Sequence, residues 1–266
     1  VFVFLKDCTW RTAYSYTGQQ ARADDWDKGY TRAAKNNGGP YGYRNNAEQS
    51  TWQITNTLNW AHKYGLHHVN VLLGHEVYNR GKMNLNNEYH NFPEANFGLN
   101  NVTMATPYSW ASGKSERGLV SFFGRASYNW NERYLLTATL RTDGSSKFGK
   151  GHKWGWFPSA SAAWRITEES WMRPTKDWLS NLKLRVGIGT TGNDNIDDNM
   201  YATDYGAGYY TNGSEVIPTL VPGSTVGNPE VKWEKTTTVN VGLDFGFFKG
   251  RLNGSIDYYN NKSDNL

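Results

Sequence analysis

From Leu119 to Ile166 apolar and polar residues alternate through three runs of strand length. Val120, Phe122, Ala126, Tyr128 and Trp130 share one phase, followed by Tyr134, Leu136, Ala138 and Leu140. The third run places Trp154, Trp156, Ala160, Ala162, Trp164 and Ile166 on that phase, with Ser, Thr and Arg on the other. A period of two predicts strands with two unlike faces. The open question is what the apolar face meets.

The same reading along the chain predicts nine strands: Cys8–Tyr16, Trp52–Ala61, His67–Tyr78, Val120–Trp130, Tyr134–Thr142, Trp154–Ile166, Leu182–Thr190, Thr236–Phe247 and Leu252–Tyr259. Tight turns are expected at Tyr64-Gly65-Leu66, Asn131-Glu132-Arg133 and Phe248-Lys249-Gly250. Between them lie long polar segments, Thr17–Thr51, Asn79–Gly118 and Thr191–Lys235, expected to be loops. Asp143–Lys153 is a medium loop, and Thr167–Asn181 is expected to hold a helical turn around Glu168–Met172 ended by Pro174. Short turns at one end and long loops at the other suit an outer-membrane barrel. A sandwich or propeller gives no reason for that segregation, and the sequence has no fixed-period repeat to support a propeller.

Composition sharpens this. Aromatic residues make up 15% of the chain, with 12 Trp and 17 Tyr, while mean hydropathy is -0.73. A globular core would be richer in Leu, Ile and Val; half-aromatic, half-polar strands joined by polar segments reconcile the two values. The longest uninterrupted apolar run is Val1 to Leu5, far short of the roughly 20 residues a membrane helix needs. A transmembrane strand needs only about 9–11 residues, alternately apolar.

Charge separates the phases. Arg11, Glu76, Arg125, Arg141, Arg165, Lys183, Arg185, Asp244 and Asp257 all lie opposite the apolar phase, which carries no Asp, Glu, Lys or Arg in any of the nine predicted strands. Arg or Lys on a lipid face costs about 2–4 kcal/mol at the midplane. A sandwich core would exclude charge too. The apolar face's Trp10, Trp52, Trp60, Tyr128, Trp130, Tyr134, Trp154, Trp164 and Tyr258, however, sit near strand ends, as aromatic belts at two water interfaces would. The expected fold is therefore all-β, an antiparallel transmembrane β-barrel whose apolar face meets lipid. Cys8 stands alone, so no internal disulfide or cysteine metal cluster is available. The net charge of +4 is scattered, which gives no nucleic-acid footprint. The first residues do not show the charged-then-apolar pattern of a signal peptide. Val1 begins mid-pattern and Leu266 ends just after a strand, from which an internal piece of a longer protein is expected.

Residues 118–190 and 228–266 resemble the barrel of SusC/RagA-type TonB-dependent outer-membrane transporters. The resemblance rests on Phe123-Gly124-Arg125, Asn131-Glu132-Arg133-Tyr134-Leu135-Leu136, Arg141-Thr142-Asp143-Gly144-Ser145-Ser146 and Trp154-Gly155-Trp156-Phe157-Pro158-Ser159, in that order. Leu179–Ile196 and Gly227–Leu266 are also similar; Asn59-Trp60 and Gly74-His75-Glu76 are similar more loosely. The resemblance implies a barrel of about 22 strands filled by an N-terminal plug, of which residues 1–266 would be a nine-strand arc. Plug and closing strands would lie elsewhere, since an odd count cannot close a bacterial barrel and open edges are not tolerated in lipid. It further implies a SusD-like surface lipoprotein as lid, energy from the TonB complex through a part outside these residues, and the outer membrane of a Gram-negative, Bacteroidota-like cell.

Candidate chemistry is sparse. Arg141, Asp143 and Gly144-Ser145-Ser146 read as hairpin architecture rather than a rim contact for ligand. Asp194, Asp197 and Asp198, beside Asn193 and Asn195, are oxygen donors in the style of a Ca²⁺ site but fit no EF-hand spacing. His67 and His75 share a face over 20 Å apart at about 3.3 Å per residue, too far to share one ion. The loop aromatics Trp26, Tyr30, Tyr41, Tyr43, Tyr108, Trp110, Tyr205, Tyr209 and Tyr210 are candidates for stacking on sugar rings, or for burying one another. No catalytic constellation, phosphate loop or cofactor motif is present. The expected function is energised import of large polar nutrients, oligosaccharides first and peptides as an alternative. A passive porin and a soluble sugar-binding β protein are the competing classes.

Ala138 and Thr139 test the assigned phase. Ala138→Arg is expected to cut the outer-membrane yield of assembled protein strongly and Thr139→Arg far less; equal yields would refute the lipid assignment.

Overall fold

A computed structural model describes residues 2–223 and 226–265. Val1 and Leu266, on which the reading of a cut chain rests, lie outside them. The strands are β1 (Phe2–Leu5), β2 (Cys8–Asp27), β3 (Tyr41–Tyr64), β4 (His67–His90), β5 (Thr106–Trp130), β6 (Tyr134–Ser145), β7 (Trp154–Arg165), β8 (Leu179–Asn193), β9 (Tyr205–Asn212), β10 (Glu215–Pro222), β11 (Glu234–Phe247) and β12 (Leu252–Asp264). Ten form one sheet in the order β1 to β8, then β11 and β12; β9 and β10 pair apart from it. All nine expected strands are present, with β1 added at one edge. No helix among the described residues is long and apolar enough to cross a membrane.

Two of the expected long loops are corrected. β2 and β3 run through most of Thr17–Thr51, leaving only 28–40 as a connection with a short helix, α1 (Arg32–Asn36). β4 and β5 likewise occupy much of Asn79–Gly118, leaving 91–105. The third segment, Thr191–Lys235, contains the β9–β10 hairpin. In β2 every residue from Trp10 to Asp25 is exposed, so no buried face imposes the alternation by which a strand shows in the sequence. Backbone pairing needs no such pattern. Along β5 the phase that is apolar from Val120 onward carries Lys114 and Glu116 further back, marking where the charge-free band stops.

The chain divides into two compact units, residues 1–13, 54–77 and 118–266 in one, 14–53 and 78–117 in the other. Register in the first unit confirms the phase. Ala126, Ala138, Ala160, Ile188 and Val239 stand opposite one another across five strands, and Tyr128, Leu136, Ala162, Val186, Val241 and Tyr258 across six. Arg125, Thr139, Ser159, Gly189 and Thr238 form the alternate row. Leu136, Val186, Ile188, Val241 and Tyr258 are exposed. A sandwich would bury them under a second sheet; here the apolar row is uncovered.

The polar face is stapled by charge. Arg141 donates to Asp143 (2.8 Å) and to Ser121 Oγ (2.9 Å), and lies 3.6 Å from Glu76. Its guanidinium stands 5.3 Å over the Phe123 ring. Gly74 makes room for that ring, which lies 2.1 Å from where a Cβ would be. Arg185 joins three strands, meeting Asp244 at 2.7 Å and Asp257 at 3.1 Å, over Gly242.

The ends are held differently. At the tight-turn end three residues join β5 to β6: Asn131 and Glu132 both adopt positive φ, and Arg133 N–H donates to the Trp130 carbonyl (2.9 Å). The helical turn expected around Glu168–Met172 is two 3₁₀ turns, Ile166–Glu168 and Ser170–Thr175, with Pro174 inside the second rather than ending it. A 3₁₀ turn tolerates proline because its φ matches the fixed ring angle. Between them the Glu169 carboxylate accepts from the Tyr134 hydroxyl (2.6 Å), Trp164 Nε1 (3.0 Å) and Arg133 (3.1 Å). Tyr134 itself stacks between Trp130 and Trp164, so the belt and the connection are one assembly. At the long-connection end Phe148, Phe157 and Trp233 form a small core with Leu119, Ile196 and Val231.

Gly155 and Gly192 create the space for Phe157, whose Cζ lies 2.4 Å and 2.1 Å from their absent Cβ positions. Gly192→Ala in the full-length protein is expected to cost about 1–3 kcal/mol by overpacking a closed core. Gly206→Ala, where a Cβ meets open space, is expected to stay within about 0.5 kcal/mol. The urea midpoint for loss of heat-modifiable gel migration reads both; equal midpoints would contradict the packing.

Candidate functional site

The second unit carries most of the candidate aromatics and separates them by role. Trp26, near the end of β2, donates from Nε1 to the Ala95 carbonyl (3.2 Å) and meets Phe92 edge-on at 4.5 Å. Ala34, Phe92 and Leu99 are buried, and Gly42 leaves room where a Cβ would stand 2.9 Å from Trp26 and 3.0 Å from Leu99. Thr31 caps α1 by accepting from Ala34 N–H. Arg44 ties the strand to this core through the Leu99 carbonyl (2.7 Å) and through Asp24 (3.0 Å). Hydrogen bonds from Arg22 and then Arg44 hold the Asp24 carboxyl well below the usual carboxylate range. A depressed folded value means this anchor persists at neutral pH and weakens only as pH falls through that lowered value. Trp26 is thus placed in a loop core.

Tyr41, Tyr43 and Tyr108 are brought together elsewhere in the unit. Tyr41 and Tyr43 share a face at the start of β3, Glu88 and His90 share one at the end of β4, and Tyr108 stands near the start of β5. The Tyr108 ring lies flat on His90, centroids 4.0 Å apart and planes within 3°. Tyr41 meets both Tyr43 and His90 edge-on at 5.6 Å. His90 Nε2 is 2.6 Å from Glu88 Oε1, and His90 is buried while Tyr43 and Tyr108 are exposed. Desolvation, then the nearby Glu88 carboxylate, pushes the Tyr43 phenol up. The arrangement offers open ring faces beside a fixed carboxylate. Glu88 and His90 are not legible in the sequence, where 79–118 reads as a loop; their i, i+2 spacing signals a shared face only once β4 reaches them.

The remaining candidates stand apart. Tyr30 and Trp110 are exposed and outside this group. Tyr205, Tyr209 and Tyr210 lie on β9, in the first unit. Asp194 is buried and accepts from Ser145 Oγ (2.8 Å), and Asp198 lies 3.8 Å from Lys147. Among the described residues no three His, Cys, Asp or Glu side chains come together as a metal-ligand group. His67 stacks on Tyr128 and Trp130 and shares a 2.6 Å hydrogen bond with the Tyr128 hydroxyl, a place in the belt.

Comparison with known proteins follows the same lines. Residues 4–266 match the family model described as TonB dependent receptor-like, beta-barrel. The TonB-dependent receptor SusC of Bacteroides thetaiotaomicron is 46% identical over 153 residues, covering 56% of this chain and 15% of that protein. The TonB-dependent receptor P26 of Formosa agariphila is 32% identical over 227 residues, 81% of this chain and 22% of that protein. A structure of the RagAB peptide transporter superposes with a TM-score of 0.84 at 23% identity, over 98% of this chain and 28% of that one. The chain therefore spans less than a third of each relative's length. An uncovered apolar row between aromatic belts, a charge-stapled polar face and this match across residues 4–266 lead to one conclusion: the chain belongs to the TonB-dependent receptor β-barrel family.

Proposed function

We propose that the protein containing this chain imports oligosaccharides across the outer membrane of a Gram-negative, Bacteroidota-like cell. A SusD-like surface lipoprotein acts as lid, and TonB supplies energy through a segment outside these residues. The family membership supports the transport reading, since members are outer-membrane transporters. The cargo reading is carried by Tyr41, Tyr43 and Tyr108 around the His90–Glu88 pair. Sugar rings present C–H faces to aromatic planes and hydroxyls to carboxylates and phenols, and this group supplies both kinds of contact within one unit. The first unit's part is the wall: its charge-free face holds lipid and its polar face lines the path.

Purified full-length protein titrated calorimetrically with linear oligosaccharides and with peptides of similar mass tests the reading. Oligosaccharides are expected to bind, and Tyr43→Ala with Tyr108→Ala to weaken them about tenfold, the scale of one or two lost ring contacts. Binding of peptides alone would replace the cargo. Uptake unchanged in cells lacking TonB would indicate a passive porin.

A further inference from the structure

Three side-chain pairs fix how β2 and β3 face each other. The Thr12 hydroxyl donates to Asn56 Oδ1 (2.9 Å), Gln20 Nε2 to Glu48 Oε1 (3.5 Å) and Arg44 Nε to Asp24 Oδ1 (3.0 Å). Each step forward along β2 is matched by an equal step back along β3, so the phase does not shift between Thr12 and Asp24. Trp10 Nε1 donates to Thr12 Oγ1 (2.9 Å), which ties this phase to a belt residue. Tyr16, Gly18 and Gln20 on β2, and Glu48 and Ser50 on β3, therefore continue the phase that meets lipid. Tyr41 and Tyr43, the cargo aromatics, lie on the other phase of β3. A Cβ on Gly81 would stand 3.5 Å from Ser50 Oγ, which sets Gly81 and, two residues on, Met83 on the Ser50 face. Lys114 shares the phase of Val120 on β5.

Tyr16, Gln20, Glu48, Ser50, Met83 and Lys114 line a groove of about 520 Å³, inside the range of about 300–1,000 Å³ usual for small-ligand sites. The Tyr16 ring reaches over Gly18, 3.5 Å from where a Cβ would stand, yet Tyr16 is 62% exposed. It is an aromatic surface open to the C–H groups of a sugar. Gln20, Glu48 and Ser50 are exposed beside it, an amide, a carboxylate and a hydroxyl that suit sugar hydroxyls. Lys114 is exposed and forms no ion pair among the described residues, so its ammonium is available to a phosphate.

Position decides the occupant. The groove opens on the side of the strands that meets lipid, where the charge-free band stops, and the long connections mark this end as the outer one. A molecule held there has hydrocarbon beside it and water above it. The groove crosses four strands spaced about 4.8 Å, and Tyr16 to Gln20 is four steps of about 3.4 Å, so it measures about 14 Å each way. One phosphate with a short amine covers a fraction of that area; linked sugar rings bearing phosphate fill it. We infer that this groove binds the phosphorylated saccharide headgroup of an outer-leaflet glycolipid whose acyl chains lie along the charge-free band. The inference rests on the outer-membrane placement in the proposed function and not on its cargo.

The test uses the full-length protein in vesicles of phosphatidylethanolamine and lipopolysaccharide, with photoreactive benzoylphenylalanine replacing either Met83 or Lys82. A crosslink to lipopolysaccharide is expected from the Met83 position and about tenfold less from the Lys82 position, on the other phase. Lys114→Glu is expected to lower the lipopolysaccharide that co-purifies from outer membranes about tenfold, and Lys114→Arg to leave it within about twofold. Equal crosslinking from both positions, or co-purified lipopolysaccharide unchanged by Lys114→Glu, overturns the inference alone. In outer membranes, a Met83 crosslink to another protein or to a second copy of the chain in place of lipopolysaccharide does the same. Unsubstituted protein that shows no heat-modifiable species in the outer-membrane fraction overturns the placement and the inference together.

Discussion

The structure depends on one constraint: a backbone that passes through hydrocarbon must pair its own N–H and C=O groups, because lipid supplies no partner. The sheet answers it strand by strand. From β5 to β8, and on through β11 and β12, register is continuous, with a single irregularity between Gly246 and Phe247 in these pairings. A fixed register then fixes which face each side chain occupies, because a slip of one residue would invert them all. Arg125, Arg141, Lys183 and Arg185 would move to the lipid face in such a slip. Hydrogen bonding and charge phasing are thus two expressions of one register.

The belts follow from the same requirement at the two water boundaries. Trp and Tyr rings tolerate a half-wet position, and here they also fasten the connections. Glu169 shows how: a carboxylate beside the membrane is acceptable because Tyr134, Trp164 and Arg133 all donate to it. Removing any donor would leave a partly buried charge short of partners, so the aromatic belt and the 3₁₀ connection depend on each other.

This explains what was legible in the sequence. Ala126, Ala138 and Ala160 announce the strand phase because lipid on one side enforces alternation, and all nine strands within the band were placed. Gln19 to Asp25 carry no such signature: both faces of β2 are exposed there, and a ladder of backbone bonds leaves no trace in side-chain pattern. The same blindness hid Glu88 and His90, which share a face with each other only if β4 extends to them. Trp26 and Tyr43 looked alike in sequence. Contacts separate them: Trp26 meets Ala95 and Phe92, nearly seventy residues away, which a pattern of period two cannot report, whereas Tyr43 meets Tyr41 on its own strand.

The polar face adds a further economy. Three large side chains there lie across glycines of neighbouring positions. Phe123 covers Gly74, Phe157 covers Gly155 and Gly192, and the Arg185 guanidinium covers Gly242. An aromatic laid over a strand glycine restores the packing that glycine lacks. Arg185 stays anchored there by Asp244 and Asp257. The strand weakness that glycine introduces is offset by the ring or guanidinium that fills its place, so the Gly→Ala exchange that strengthens a lone strand would here displace a packed side chain.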